Sequence, residues 1–143
     1  MKTLLLTLIS FLALNSYAQN VNIPDANFKA YLVGNNLINT NGDTEIQVSE
    51  AVAFTGTITC GREVRSTTSI TDLTGIEAFT ALTKLYCYSN QLTSLDVTQN
   101  TALTDLYCYY NQLTSLDVTQ NTALTQLYCY YNQLTSLDVS RNT

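Results

Sequence analysis

From residue 82 onward the apolar positions follow two periods at once. A long period of 21 residues returns the same order three times: LYCYSNQLTSLDVTQNTALTD (85–105), LYCYYNQLTSLDVTQNTALTQ (106–126) and LYCYYNQLTSLDVSRNT (127–143). Within each copy a short period of two governs Leu85-Tyr86-Cys87-Tyr88, which predicts a strand with Leu85 and Cys87 inward and both tyrosines outward. Leu95-Asp96-Val97 predicts the same alternation on the other side of the unit. One such unit cannot bury its own apolar face. Units stacked ~4.8 Å apart close a continuous core, so the pattern predicts a mainly β repeat solenoid.

The polar positions punctuate this coil. Asn90, Asn111 and Asn132 fall where the chain must turn, and an inward amide there can satisfy backbone groups of its own and neighbouring coils. Earlier residues carry the rhythm in degenerate form. Ile58-Thr59-Cys60 reads as a strand with its own inward cysteine, and Ile70, Leu73 and Ile76 continue the apolar spacing. The interval from Cys60 to Ile70 is longer than that from Cys87 to Leu92, and Gly61 to Ser69 takes up the excess as a projecting loop. The third copy stops at Asn142-Thr143, inside a repeat and without a polar capping segment, as expected of a piece of a longer array.

Ahead of the repeats, residues 23–54 predict helix, loop, helix. Pro24 and Asp25 suit a first turn, Phe28, Tyr31 and Leu32 form an apolar face, and Gly34 ends it. The loop Asn39-Thr40-Asn41-Gly42-Asp43-Thr44-Glu45-Ile46-Gln47-Val48-Ser49-Glu50 matches much of an EF-hand spacing. Asn39, Asn41 and Asp43 take positions 1, 3 and 5, Glu45 lies beside them, and Glu50 takes the bidentate position 12. Asn39 supplies an amide where a carboxylate is usual, and Thr44 stands where the turn favours glycine. Two readings follow: a weak calcium site on these five residues, or a calcium-free helical cap for the solenoid.

The repeat L-x-x-L-x-C-x-x-N-x-L, seen as Leu82, Leu85, Cys87, Asn90 and Leu92 and twice more, resembles the leucine-rich-repeat signature. A shorter half-motif from Leu92 to Asn100 is nested in each period, as in the irregular 21-residue class of bacterial leucine-rich repeats. The chain thus resembles internalin-like and other secreted bacterial leucine-rich-repeat proteins, with an EF-hand or dockerin-like helical cap in front. The resemblance implies a non-catalytic, adhesion-like binding module that recognises a protein or glycan partner through the strand face. Its alternative is the non-catalytic front end, or a structural spacer, of a larger exported protein such as an enzyme.

Composition and charge narrow the picture. Lys2 followed by the apolar run Thr3 to Leu14 and the small residues of Ser16-Tyr17-Ala18 reads as an export signal over 1–18, too short for a transmembrane helix. This divides the chain into a signal (1–18), a helical cap (19–57) and a solenoid (58–143), with degenerate coils at 58–81 and regular repeats at 82–143. The formal net charge is −5, and Lys29, Arg62, Arg65, Lys84 and Arg141 are scattered, which argues against a nucleic-acid partner. The cysteines number four, and Cys87, Cys108 and Cys129 share one inward position. They read as a column of buried thiols, with disulfides as the alternative. There is no histidine to activate a thiol.

Two surface columns remain as candidate chemistry. Eight of the ten tyrosines lie in the repeats, and Tyr86, Tyr107 and Tyr128, with Tyr88, Tyr109 and Tyr130, are predicted to line one face as ligand-binding residues. Tyrosine combines rigid area with a hydrogen-bonding tip. Strand preference and ring stacking are the structural alternative. Asp96, Asp117 and Asp138 form an acidic column opposite, expected to be solvated and hydrogen-bonded. A hydrolase built on identical carboxylates is excluded, since acid and base roles need different environments.

Overall fold

The computed structural model describes residues 19–61 and 69–142. The expected export signal at 1–18 and most of the loop after Cys60 lie outside the described residues. Two short helices come first, α1 (Ala26–Val33) and α2 (Val48–Ala53). Four strands follow: β1 (Thr57–Thr59), β2 (Lys84–Tyr86), β3 (Asp105–Tyr107) and β4 (Gln126–Tyr128). They form one parallel sheet in sequence order, with Ile58, Leu85, Leu106 and Leu127 in one inward row and Thr59, Tyr86, Tyr107 and Tyr128 in one outward row. A repeat solenoid is therefore the fold.

Each coil contributes the same inward set. Leu85, Cys87, Leu92 and Val97 have no exposed surface, and neither do Leu106, Cys108, Leu113 and Val118 one coil later. Removing such side chains from water contributes about 1.5–3 kcal/mol each for the larger ones. Stacking makes every coil both roof and floor. In the last coil Leu127, Leu134 and Leu137 are only partly buried and Val139 is exposed.

The strands are shorter than the alternation predicts. Each spans three residues, and β2, β3 and β4 end at the first tyrosine of their repeat, although hydrogen bonds between coils run on from Cys87 N to Tyr107 O (2.8 Å) and from Ser89 N to Tyr109 O (3.0 Å). The chain then turns through a left-handed residue, Ser89, Tyr110 or Tyr131. On the other side the predicted second strand is absent. Asp96 and Asp117 make an isolated bridge instead of a ladder. Side chains hold that side together: Asn121 Nδ2 donates to Val97 O (2.8 Å) and Asn100 O (2.9 Å), and Asn100 and Asn142 repeat the arrangement in their own coils.

The turn asparagines do what their position suggests. Asn111 Nδ2 donates to Cys87 O and Cys108 O, both at 3.0 Å, while its Oδ1 accepts from Leu92 N at 3.0 Å. Asn90 and Asn132 repeat these contacts one coil on either side. Buried backbone groups of the turn are thereby paired without a second sheet.

The front of the core is closed by the helices. Phe28 and Leu32 of α1 are fully buried with Ile38 and Ile46, and Phe54 meets Phe79 edge-on at 6.3 Å. Asp25 joins cap to coil. Its Oδ1 caps α1 by accepting from Asn27 N (2.9 Å) and Phe28 N (3.0 Å), and its Oδ2 accepts from Thr71 N (2.9 Å) and Thr71 Oγ1 (3.0 Å). Gly75 is required at the junction, because φ is +104° and a Cβ would meet Ile23 Cγ1 at 2.8 Å and Asn22 O at 2.9 Å.

Candidate functional site: the tyrosine face

The outward row of the sheet begins with Thr59 and then becomes aromatic. Tyr86 and Tyr107 stack with ring centroids 4.3 Å apart and planes 19° apart, and Tyr128 meets Tyr107 at 4.6 Å and 69°. Two residues on, Tyr88, Tyr109 and Tyr130 form a straighter stack, at 4.9 Å and 2° and then 4.8 Å and 8°. The sheet spacing between coils sets these distances, so a tyrosine at one position per coil must touch its copies. At the front, Tyr88 lies flat on the backbone of Gly61, where a Cβ would meet the ring at 2.7 Å. All six candidate residues thus share one face in two adjoining columns.

A third column stands beside them. Tyr110 and Tyr131 stack at 4.5 Å and 6°, and both meet the second column edge-on, Tyr110 with Tyr109 at 5.7 Å and Tyr131 with Tyr130 at 5.4 Å. Strand alternation assigns these residues no face, since they follow an outward tyrosine directly. Their placement comes from the positive φ at the turn, and the only trace in the sequence is the Asn that follows each.

The edge of the face is polar. Lys84 Nζ lies 3.3 Å from the buried carboxylate of Asp105, which also accepts from Thr104 Oγ1 at 2.6 Å. Tyr107 donates its hydroxyl to Gln126 Oε1 at 2.7 Å. Loss of hydration, then the neighbouring phenols, raise the pKa of Tyr107, Tyr109 and Tyr110 above the ordinary tyrosine value. These hydroxyls therefore stay protonated donors through neutral and mildly alkaline pH.

Behind the face the cysteines form a column. Cys60, Cys87 and Cys108 are buried and Cys129 partly so, all as free thiols. Burial pushes Cys60 and Cys108 up to about 12, and raises Cys87 and Cys129 as well. A thiol held protonated is neither nucleophile nor ready disulfide partner.

The acidic column is on the opposite side, along a groove of about 400 Å³ whose lining includes Asp72, Glu77, Asp96, Asp117, Leu95 and Leu116. Each aspartate closes a small turn: Asp117 Oδ1 accepts from Thr119 Oγ1 (2.7 Å) and Thr119 N (2.9 Å), and Asp72, Asp96 and Asp138 do the equivalent. Those bonds, the hydroxyl's first, hold Asp117 and Asp138 below the usual carboxylate range.

In the 39–50 loop every candidate calcium ligand is engaged within the protein. Glu50 Oε1 accepts from Thr40 N (2.8 Å), Thr40 Oγ1 (2.9 Å) and Asn41 N (3.2 Å), and its Oε2 from Gln47 N (3.0 Å). Glu45 pairs with Lys29 at 2.6 Å. Asn39 turns its amide nitrogen to Val33 O and Asp43 O, and Asp43 accepts from Glu45 N, Asn41 and Gln47. Among the described residues no three Asp, Glu, His or Cys side chains are grouped to hold a metal ion.

Comparison with known proteins gives the same fold. The chain is similar to the structure described as the functional domain of InlJ from Listeria monocytogenes, which includes a cysteine ladder. Identity is 44% and the TM-score 0.71, over 87% of this chain and 26% of that one. An internalin from the same organism, InlF, matches with 22% identity and a TM-score of 0.69, over 90% of this chain and 36% of that one; this likeness shows the fold alone. The chain spans about a quarter to a third of these structures. No protein-family model matches it, and no curated protein does.

Proposed function

We propose that this chain, whose leucine-rich-repeat fold is that of the internalin structures it resembles, is a non-catalytic recognition module that binds a macromolecular partner, protein or glycan, at or outside the cell surface. The observation that carries this reading is the tyrosine face: aromatic columns in contact from coil to coil, fixed on a rigid sheet and open to solvent. Rigid aromatics lose little entropy on binding and present a large amphipathic area. The protonated, buried thiols and the lack of histidine support a role without catalysis. The export reading rests on residues 1–18, and among the described residues no helix is long and apolar enough to cross a membrane.

A pull-down and a glycan array identify the ligand, and paired substitutions then locate it. Tyr107→Ala with Tyr109→Ala weakens binding by about 1–2 kcal/mol or more, as truncating interface aromatics does. Asp117→Asn and added salt have small effects. The opposite ranking moves recognition to the acidic groove and points to a cationic or calcium-bridged partner.

A further inference from the structure

We propose that Asn41 is a site of spontaneous covalent modification. Its side chain closes on Gly42 to a succinimide, water opens the ring to aspartate or isoaspartate, and the change loosens the helical cap. The proposal is independent of the tyrosine-face reading.

The sequence isolates the position. Asn41 is the one asparagine in the chain followed by glycine. Every other asparagine precedes a side chain that crowds the approach of the next amide nitrogen to its Cγ. Burial separates it further. Asn90, Asn100, Asn111 and Asn121 are buried, whereas Asn41 and Gly42 are both exposed. Gly42 sits at φ +72°, and beyond its chain neighbours no atom lies within 4 Å of where a Cβ would stand. The nitrogen that must attack is therefore uncrowded.

The loop prepares the reaction. Asn41 Oδ1 accepts from Asp43 N at 2.9 Å, which folds the side chain back across the Gly42 peptide. Cγ is held beside the Gly42 nitrogen, so little further freedom is lost in bringing the two together. The same Asp43 N–H faces the oxygen on which negative charge develops as Cγ becomes tetrahedral. Hydroxide removes the Gly42 N–H proton, which in the resting loop is shared with Asn39 Oδ1 at 3.1 Å. The freed electron pair makes the N–Cγ bond, the Cγ–Nδ2 bond breaks, and Nδ2 leaves as ammonia with a proton from water. A water molecule then opens the imide. Cleavage at Cγ gives aspartate, and cleavage at the backbone carbonyl gives isoaspartate. Water is the only co-reactant.

The consequence follows from what the amide does before it is lost. Nδ2 donates to Gln47 Oε1 at 2.7 Å and to Asp43 Oδ2 at 3.0 Å. A carboxylate there has no proton to give and faces two acceptors, one of them charged. Glu50, which accepts from Asn41 N at 3.2 Å, adds another like charge, while Glu45 is paired with Lys29. Gln47 is buried, opens α2 through a capping box with Glu50, and bridges to Asn20. The damage thus falls on the joint between the loop and α2.

The test ages the whole purified chain in warm neutral buffer. Peptide mass spectrometry locates the conversion, and isoaspartate methyltransferase labelling identifies the isomer. Conversion should accumulate at Asn41 and at no buried asparagine. Asn41→Ser, whose hydroxyl can still accept from Asp43 N, should abolish it. Gly42→Ala should slow it at least about tenfold by crowding the attack. If strain at the positive φ unfolds that variant, Asn41→Ser carries the comparison. The melting temperature of the aged parent should fall, as should that of fresh Asn41→Asp, while aged Asn41→Ser should keep its fresh value. Conversion of the chain in urea but not of the folded protein would show that the loop shields Asn41, and would overturn the proposal. Conversion spread over the buried asparagines would overturn it too. Conversion at Asn41 with an unchanged melting temperature would keep the modification and overturn its effect on the cap.

Discussion

Asn111→Ala should be among the most damaging single changes in the molecule, and its size can be worked from its three bonds. Leu92 N donates to Asn111 Oδ1 at 3.0 Å, and Cys87 O and Cys108 O each accept from Asn111 Nδ2 at 3.0 Å. The three losses are unequal. Cys87 O keeps the amide of Asn90 (3.2 Å) and Cys108 O keeps that of Asn132 (3.0 Å), whereas Leu92 N loses its partner in a buried turn. An orphaned buried donor costs about 1–3 kcal/mol and each of the two further bonds about 0.5–1.5 kcal/mol, so the total is about 2–6 kcal/mol. Asn121→Ala is the internal control. Asn121 is also buried and its Nδ2 also binds two carbonyls, but Val97 O retains Asn100 N and Asn100 O retains Leu103 N. Its own Oδ1 has no hydrogen-bond partner, so removing the side chain also removes a buried unsatisfied atom. That change should cost only about 1 kcal/mol. Urea unfolding followed by far-UV circular dichroism, with slopes compared to confirm a common transition, measures both. Equal losses at the two sites, or a loss below about 1 kcal/mol at Asn111, would refute this assignment of the ladders.

Four further outcomes follow from the same geometry. Asp25→Ala should destabilise by about 1–2 kcal/mol, an N-cap's usual worth with the tie to Thr71 added, as read by thermal melting. Burial opposes the charge of Asp25 and Glu50, but their hydrogen bonds outweigh it and depress both pKa values. Their stabilisation is therefore present at neutral pH, above the unfolded carboxylate range, and is lost as pH falls through the folded values; Asp25→Asn should flatten the acid limb of a melting-temperature profile. Glu50→Gln should lower the melting temperature with or without calcium, because it disturbs a carboxylate receiving four bonds. A rise in the parent's melting temperature with millimolar calcium, abolished by that change, would establish the ion site instead. Iodoacetamide should leave Cys87 and Cys108 unlabelled in the native protein and reach all four cysteines after denaturation without reductant. A stoichiometric intrachain bridge would overturn the thiol column.

What the sequence shows well is whatever three copies repeat at buried positions. Leu85, Cys87, Asn90 and Leu92 can be assigned because period two and the 21-residue period agree, and a slip of one residue would expose the whole set. The front of the molecule is harder to read because its contacts are distant in sequence. Asp25 looks like an ordinary helix cap, and nothing local announces that its second oxygen is committed to Thr71. The 39–50 loop is ambiguous for a different reason. The spacing that would surround a cation also builds consecutive side-chain turns, with Asn41 Oδ1 accepting from Asp43 N and Asp43 Oδ1 from Glu45 N. One pattern serves two physical ends, and only the whereabouts of the donors distinguishes them.

The tyrosines show the limit from the other side. Near-identical copies strengthen inference about a core, since each copy must satisfy the same packing. On a surface they weaken it, because a ring copied three times need have been useful only once. The structure breaks that degeneracy by giving the copies unequal surroundings. Tyr88 lies on Gly61, Tyr107 is bonded to Gln126, and Tyr128 tilts 69° away from its neighbour. Tyr110 and Tyr131 occupy a backbone conformation that Ser89 fills without a ring. Period-two reasoning cannot place the last pair, since alternation ends where the chain enters the left-handed turn. The third column therefore lies one position beyond the reach of the strand pattern.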